Sequence, residues 1–162
     1  MAQSLFAAGQ ALNGDAWGLH DAEWLGVRID WRARVLELDL SLAVSERGQL
    51  HRRARFVVTG LVFFVLEPPH PRSEGARYWE VAGDQIDVHE TPCDSVTGER
   101  PGLPPLPPGA WCCTLYDSGL NTLANIAGED CTGTWVGEPV SRASNVFFPG
   151  DTAPIPGSGS SD

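Results

Sequence analysis

The chain has 162 residues, enough for one domain with a sizeable core, and its 42% hydrophobic and 20% charged content is ordinary for a globular protein. All 11 basic residues are arginines, 21 residues are acidic, and the formal net charge is −10. Residues 1–77 contain nine arginines and nine acids, whereas residues 78–162 contain two arginines and twelve acids. An acidic second half disfavours nucleic acid, whose phosphates would repel it, and favours a basic protein partner or simple solubility.

The cysteines form no metal-binding pattern. There is no C-x-x-C and no histidine at zinc-ligand spacing among Cys93, Cys112, Cys113 and Cys131. The adjacent pair would point to opposite faces of a strand. We therefore expect buried, reduced thiols and no cofactor. The first residues lack the basic start and apolar run of a signal peptide, and no stretch approaches the ~20 apolar residues of a membrane span. These features predict a cytoplasmic protein that does not associate with membranes.

The first third of the chain predicts a helix and a hairpin. Residues 3–12 predict a short helix that stops at Asn13-Gly14, although Gly9 interrupts it. Residues 24–31 and 35–44 alternate with period two, which is typical of half-buried strands joined as an antiparallel hairpin. The residues predicted to share the apolar face are Leu25, Val27, Ile29 and Trp31 in the first strand, and Leu36, Leu38, Leu40, Leu42 and Val44 in the second.

Residues 50–66 begin polar and become continuously apolar, with a break at Gly60 that predicts a bulge or tight bend. We expect the stretch 61–66 to be a central strand buried on both faces. His51 lies in the polar part and is expected to be exposed. The neighbouring arginines predict either a small anion-binding patch or a salt-bridged face; they are Arg52, Arg53 and Arg55.

The remaining strands are short and separated by turns. Residues 78–81, 85–89, 110–116, 120–127 and 131–136 are the strand candidates, and residues 91–109 form a proline-rich loop. We predict a mainly β fold, or α+β with one short N-terminal helix. The architecture is an antiparallel sandwich or a curved open sheet of about eight strands. Residues 1–137 would be a single β-rich domain, and residues 138–162 a polar Gly-, Pro- and Ser-rich tail, partly disordered.

Two histidine–carboxylate pairs are candidates for chemistry. His20-Asp21 and His89-Glu90 each offer a general base or half of a metal site, and the four side chains could hold an ion if the two segments met. The alternative is that Asp21 caps the turn into the first strand while His20 packs against it. No nucleophile motif accompanies either pair, so we assign no catalytic residue.

A partner-binding surface is a further expectation. Trp24 falls on the opposite face of its strand from Leu25, and an exposed tryptophan would be a good interface anchor. Acidic residues at strand ends and turns could form a rim that docks on a positively charged partner, or they could be ordinary turn residues. They are Asp84, Asp87, Glu90, Asp94, Asp117, Glu129 and Asp130.

The order of these features resembles small bacterial β-rich proteins that include immunity proteins of polymorphic toxin systems. The residues that carry the resemblance are His20-Asp21-Ala22, the strand 25–30, the leucine-rich strand 35–42, the segment 56–62, and Trp111 to Tyr116 with Asn121 and Trp135. The proline-rich loop and the tail depart from this pattern. The resemblance implies a non-enzymatic protein that binds and neutralises a toxin domain.

Two other functions stay open. The chain could be an accessory or structural subunit, docked on a larger bacterial assembly through its proline-rich loop and the apolar segment 146–148. It could also be a small metal-dependent hydrolase that uses His20, Asp21 and His89.

Overall fold

The computed structural model describes residues 2–14, 18–20, 22–45, 50–67, 103–117 and 122–141. These residues form one helix and seven strands in two antiparallel sheets, which confirms the mainly β prediction. The strand candidates at 78–81 and 85–89 lie outside the described residues. The elements are α1 (Leu5–Asn13), β1 (Glu23–Asp30), β2 (Val35–Ala43), β3 (Leu50–Thr59), β4 (Phe63–Leu66), β5 (Trp111–Asp117), β6 (Thr122–Gly128) and β7 (Asp130–Ser141).

A four-stranded sheet in the order β1-β2-β3-β7 and a three-stranded sheet in the order β4-β6-β5 share one apolar core. The leucine row of β2 is the centre of this core, as the alternation predicted: Leu36, Leu38, Leu40 and Leu42 are all buried. Because directly paired residues point to the same face, the row continues on β3 through Ala54, Phe56 and Val58. The second sheet contributes Cys113, Leu115, Ala124 and Ile126.

The expectation that Trp24 is exposed is wrong, because β1 contains a bulge. Trp24 pairs with Leu40 and Gly26 pairs with Asp39, so Leu25 is an extra residue without a partner. The bulge changes the alternation, and Trp24 therefore points to the same side as Val27. Its side chain is only 4% exposed, and its ring lies 6.4 Å from that of Phe64 in an edge-on contact. Trp24 is a core residue that joins the two sheets.

The segment after Gly60 is not a central strand. Gly60 adopts a φ of +61°, which favours glycine, and the bend removes the chain from the first sheet. In the described part of the second sheet β4 pairs only with β6 and forms an edge, and Phe63 is its only fully buried residue. The central strand is β6, whose small residues allow both faces to be covered; Ala124, Asn125 and Ala127 are buried.

Helix α1 forms where the sequence predicts it. Ser4 caps the helix by accepting a hydrogen bond from the Ala7 N–H at 3.2 Å, and Gly14 ends it in the left-handed conformation with its N–H on the Gln10 carbonyl. The helix packs on the core side of β7, where a methyl group added to Gly133 would touch Leu12. It thus closes part of the core that the three-stranded sheet leaves open.

Strand β7 is longer than predicted. It begins at Asp130 and continues through the predicted domain boundary at residue 137 as far as Ser141, where its end pairs with Leu50. The remainder of the predicted tail, from residue 142, lies outside the described residues. The C-terminal boundary of the described sheet is therefore Ser141.

Candidate binding surface

Three loops meet at one end of the four-stranded sheet. The register places Asp30 beside Val35, Val35 beside Thr59, and Thr59 beside Asp130. The β1–β2 turn, the bend after β3 and the turn before β7 therefore lie side by side. We call this surface the loop end, and define it by residues 31–34, 60–61 and 129–130.

Arg34 holds the three loops together. Its Nη2 donates to the Gly60 carbonyl at 3.1 Å and lies 3.3 Å from Glu129 Oε1, and its Nε donates to the Leu61 carbonyl at 3.2 Å. The Leu61 N–H donates in return to the Arg34 carbonyl at 2.9 Å. Arg34 itself adopts a φ of +56°, uncommon for a residue with a side chain. These hydrogen bonds support the unusual conformation and tie the β1–β2 turn to the bend after β3.

Asp30 fixes the turn from the other side. Its Oδ1 accepts hydrogen bonds from the N–H groups of Arg32 and Ala33, both at 2.9 Å. This is the aspartate-capped turn that short acidic side chains favour. The turn presents Trp31, whose side chain is 61% exposed, the largest exposure of any large apolar side chain among the described residues. The prediction that Trp31 lies on the apolar face of the strand is wrong, because β1 ends at Asp30.

The predicted acidic rim is only partly assembled. Glu129 is exposed at the loop end and pairs with Arg34. Asp130 is beside it, but its Oδ1 accepts from the Gln3 N–H at 2.6 Å and so ties down the chain before α1. Asp117 ends β5 opposite Thr122, at the far end of β6 from Glu129. That separation is roughly 20 Å at about 3.3 Å per residue. The other four predicted acids, Asp84, Asp87, Glu90 and Asp94, lie outside the described residues.

The predicted metal-binding residues are not seen together. His20 is exposed in the turn before β1, while Asp21, His89 and Glu90 lie outside the described residues. Within the part of the chain that the structure describes, no three His, Cys, Asp or Glu side chains are grouped so that they could hold a metal ion.

The outer face of the four-stranded sheet carries a salt-bridged cluster. Arg53 Nη2 lies 2.8 Å from Asp39 Oδ2, and Arg55 Nε lies 3.0 Å from Asp39 Oδ1. Burial alone would raise the pKa of Asp39, but the hydrogen bonds from Arg55 and Arg53 and their positive charges lower it below its ordinary value. For Arg53 and Arg55, the salt-bridged face is therefore confirmed.

Arg52 does not belong to that cluster, because alternation along β3 turns it to the opposite face. Its Nε donates to the Gly137 carbonyl at 2.8 Å, and its guanidinium lies 5.2 Å from the centre of the Trp135 ring. The three arginines that are close in sequence are thus divided between the two faces of the sheet.

His51 is buried, contrary to the expectation that it is exposed. It is 3% exposed, and its Nδ1 lies 3.1 Å from Ser41 Oγ. It lies on the interior strand β3, where it pairs with Ala43 on one side and Val140 on the other.

None of the helical segments in the described part of the chain has the length and apolar character needed to cross a bilayer. Comparison of the chain with protein-family models, curated proteins and solved structures finds no match.

Proposed function

We propose that this chain is a non-enzymatic binding protein of the immunity type, which neutralises a cognate toxin by docking on a basic domain of it. The observation that carries the proposal is charge. The chain has 21 acidic residues and 11 arginines, and the excess of acids belongs to residues 78–162. A negatively charged surface attracts and orients a basic partner.

Four of the described arginines form ion pairs with acids of this chain. Arg53 and Arg55 share Asp39, Arg34 pairs with Glu129, and Arg28 pairs with Glu37. The net charge of −10 has to be balanced from outside the chain, by ions or by a partner. Release of those ions on docking would favour the complex and make its affinity dependent on salt.

The test is co-expression with the toxin encoded by the neighbouring gene, followed by titration of the two purified proteins. We expect full relief of growth inhibition, and a dissociation constant that rises at least about tenfold between roughly 50 and 300 mM NaCl. Lysozyme, a basic protein of unrelated shape, is the control for non-specific attraction and should bind far more weakly. A toxin that stays fully active in the presence of this chain would contradict the proposal.

A second candidate is the accessory subunit, and one observation favours it. Residues 104–109 are exposed, and Leu106 at the centre of the Pro-Pro-Leu-Pro-Pro run is 40% exposed. Exposed proline-rich segments dock in aromatic-lined grooves of other proteins. Size-exclusion chromatography of host extract separates the two functions, since an accessory subunit elutes with a large particle and an immunity-type protein with a single small partner.

A further inference from the structure

We infer that Trp31 is the anchor of the partner interface: its indole inserts into an apolar pocket on the protein partner, and Arg32 and Glu129 form ion pairs at the edge of that pocket. This inference rests on the proposed function and adds the place of contact. It also states what the partner must offer, which is an indole-sized apolar pocket bordered by one carboxylate and one basic side chain.

The first argument is the exposure of a large aromatic side chain. Tryptophan is the residue whose burial contributes most at protein interfaces, and it is enriched among the few residues that dominate affinity. Trp31 is more than half exposed at the tip of a turn, and the two residues after it are exposed as well. The partner can therefore reach the indole without any rearrangement of the residues that the structure describes.

The second argument is that the anchor is held in place before binding. Asp30 fixes two backbone N–H groups of the turn, and Arg34 ties the turn to the carbonyls of Gly60 and Leu61. A contact presented by a rigid backbone loses little conformational freedom on docking. An exposed tryptophan on a loosely held loop would not have this advantage.

The third argument is the charge around the anchor. Arg32 is exposed immediately after Trp31, and the exposed pair of Arg34 and Glu129 lies across the neighbouring loop. Exposed pairs are weak, so Glu129 can exchange Arg34 for a basic group of the partner at little cost. An apolar centre surrounded by charges of both signs is the usual arrangement of a protein–protein interface.

The other exposed large apolar side chains among the described residues do not have these properties. Leu50 begins β3, at the opposite end of the sheet from Thr59 and hence from the loop end. Leu106 lies outside both sheets in the proline-rich segment. Neither lies beside a turn that is capped as Asp30 caps the turn of Trp31.

The experiment measures the affinity of the full chain and three variants for the purified neighbouring toxin. We expect Trp31→Ala to weaken binding at least about 30-fold and Trp31→Phe to weaken it less. Leu106→Ala removes a similarly exposed apolar side chain elsewhere and should change affinity by less than about twofold. Circular dichroism and urea midpoints should be the same for all four chains, since the side chains are exposed.

A matched pair of variants tests the rigidity of the turn without touching the anchor. Asp30→Asn removes the charge but keeps the oxygen that accepts from Arg32 and Ala33, whereas Asp30→Ala removes both. We expect Asp30→Asn to bind like the unaltered chain and Asp30→Ala to bind several-fold more weakly.

The outcomes separate the two proposals. If the unaltered chain binds the toxin and Trp31→Ala binds equally well, the inference about Trp31 is overturned and the immunity function stands. If the unaltered chain does not bind, both fall. Equal affinities of Asp30→Asn and Asp30→Ala, both near that of the unaltered chain, would refute the preorganised turn.

Discussion

Asp39 shows how a single carboxylate organises the outer face of the four-stranded sheet. It is half-buried, it receives hydrogen bonds from two arginines, and it lies on the central pair β2–β3. The cost of removing one partner from such a cluster exceeds the net contribution of the contact, because the remaining charges stay desolvated and unpaired.

We therefore expect Asp39→Asn to lower the free energy of unfolding by about 1–3 kcal/mol at pH 7. The folded-state pKa of Asp39 is lowered, so its contribution is present above the unfolded value of 3.8 and is lost as the pH falls through the lower folded value. Urea unfolding at pH 7 and pH 3 tests this, and the difference from the unaltered chain should shrink at pH 3. Glu37→Gln affects the exposed Arg28 and, at 4.0 Å, Arg55 at the side of the cluster, and should cost under ~1 kcal/mol. A gap that widens on acidification would contradict the assignment.

Trp24 and Trp31 show where the alternation of polar and apolar residues fails to predict the burial of single side chains. Strict alternation along residues 24–31 predicts that Trp24 is exposed and Trp31 buried, and the structure has the reverse. One bulge residue and the early end of β1 account for both errors. The available signal for Trp31 is Asp30, since an aspartate side chain can accept hydrogen bonds from backbone N–H groups two and three residues on and so favours a turn.

At the scale of elements, the packing of α1 explains why a glycine, Gly9, lies within the helix. A glycine weakens an isolated helix. Here the chain after α1 crosses the helix at Gly18, and a methyl group on Gly9 would lie 2.7 Å from Leu19 Cγ. The two glycines allow a close approach of backbones that the sequence pattern of either segment alone does not reveal.

Gly18→Ala should therefore destabilise the protein by about 1–3 kcal/mol. Its added carbon would lie 2.6 Å from the Gly9 carbonyl carbon and oxygen, which are backbone atoms and cannot rotate away. Gly26→Ala is the matched control, because nothing lies within 4 Å of the carbon it adds. Its expected effect is within ~0.5 kcal/mol. Thermal and urea unfolding of both variants measure the contrast, and equal midpoints would show that the crossing is looser than described.

The strands that could be predicted are those with one polar and one apolar face. The hairpin of β1 and β2 follows from alternation, and Gly60 marks the end of β3 as expected. Which of β4 and β6 is the central strand of the second sheet could not be predicted, because a continuous apolar run occurs in both central and edge strands. Only the pairing of β6 with two neighbours decides between them.

For the whole molecule, composition and alternation were sufficient to predict the fold class, but not the candidate surface. The loop end depends on the register that brings Asp30, Thr59 and Asp130 to one edge, and these residues are far apart in sequence. Glu129 was among the predicted partner-binding residues because it is an acid in a turn. Its neighbour Asp130, equally acidic, is used instead to hold the chain before α1.

The net charge has a consequence for stability as well as for binding. Ten unbalanced negative charges repel one another most strongly in the compact state, so salt should stabilise the folded chain while it weakens docking on a basic partner. We expect the urea midpoint at pH 7 to rise between roughly 10 mM and 150 mM NaCl, over which the Debye length falls from about 30 to about 8 Å. The control is the same measurement near pH 4.7, where the sequence gives a net charge of about zero and the salt effect should vanish. A midpoint that falls with salt at pH 7 would contradict this.

The bulge in β1 makes this strand tolerant of changes in chain length. Most strands cannot lose a residue, since every side chain beyond the deletion would change faces. In a chain without Leu25, Trp24 and Gly26 would be adjacent and would pair with Leu40 and Asp39 in a regular ladder. All the remaining side chains of β1 would keep their present faces. Two lengths of β1 are thus compatible with one core, and a sequence alignment would show the difference as a one-residue gap between Trp24 and Gly26.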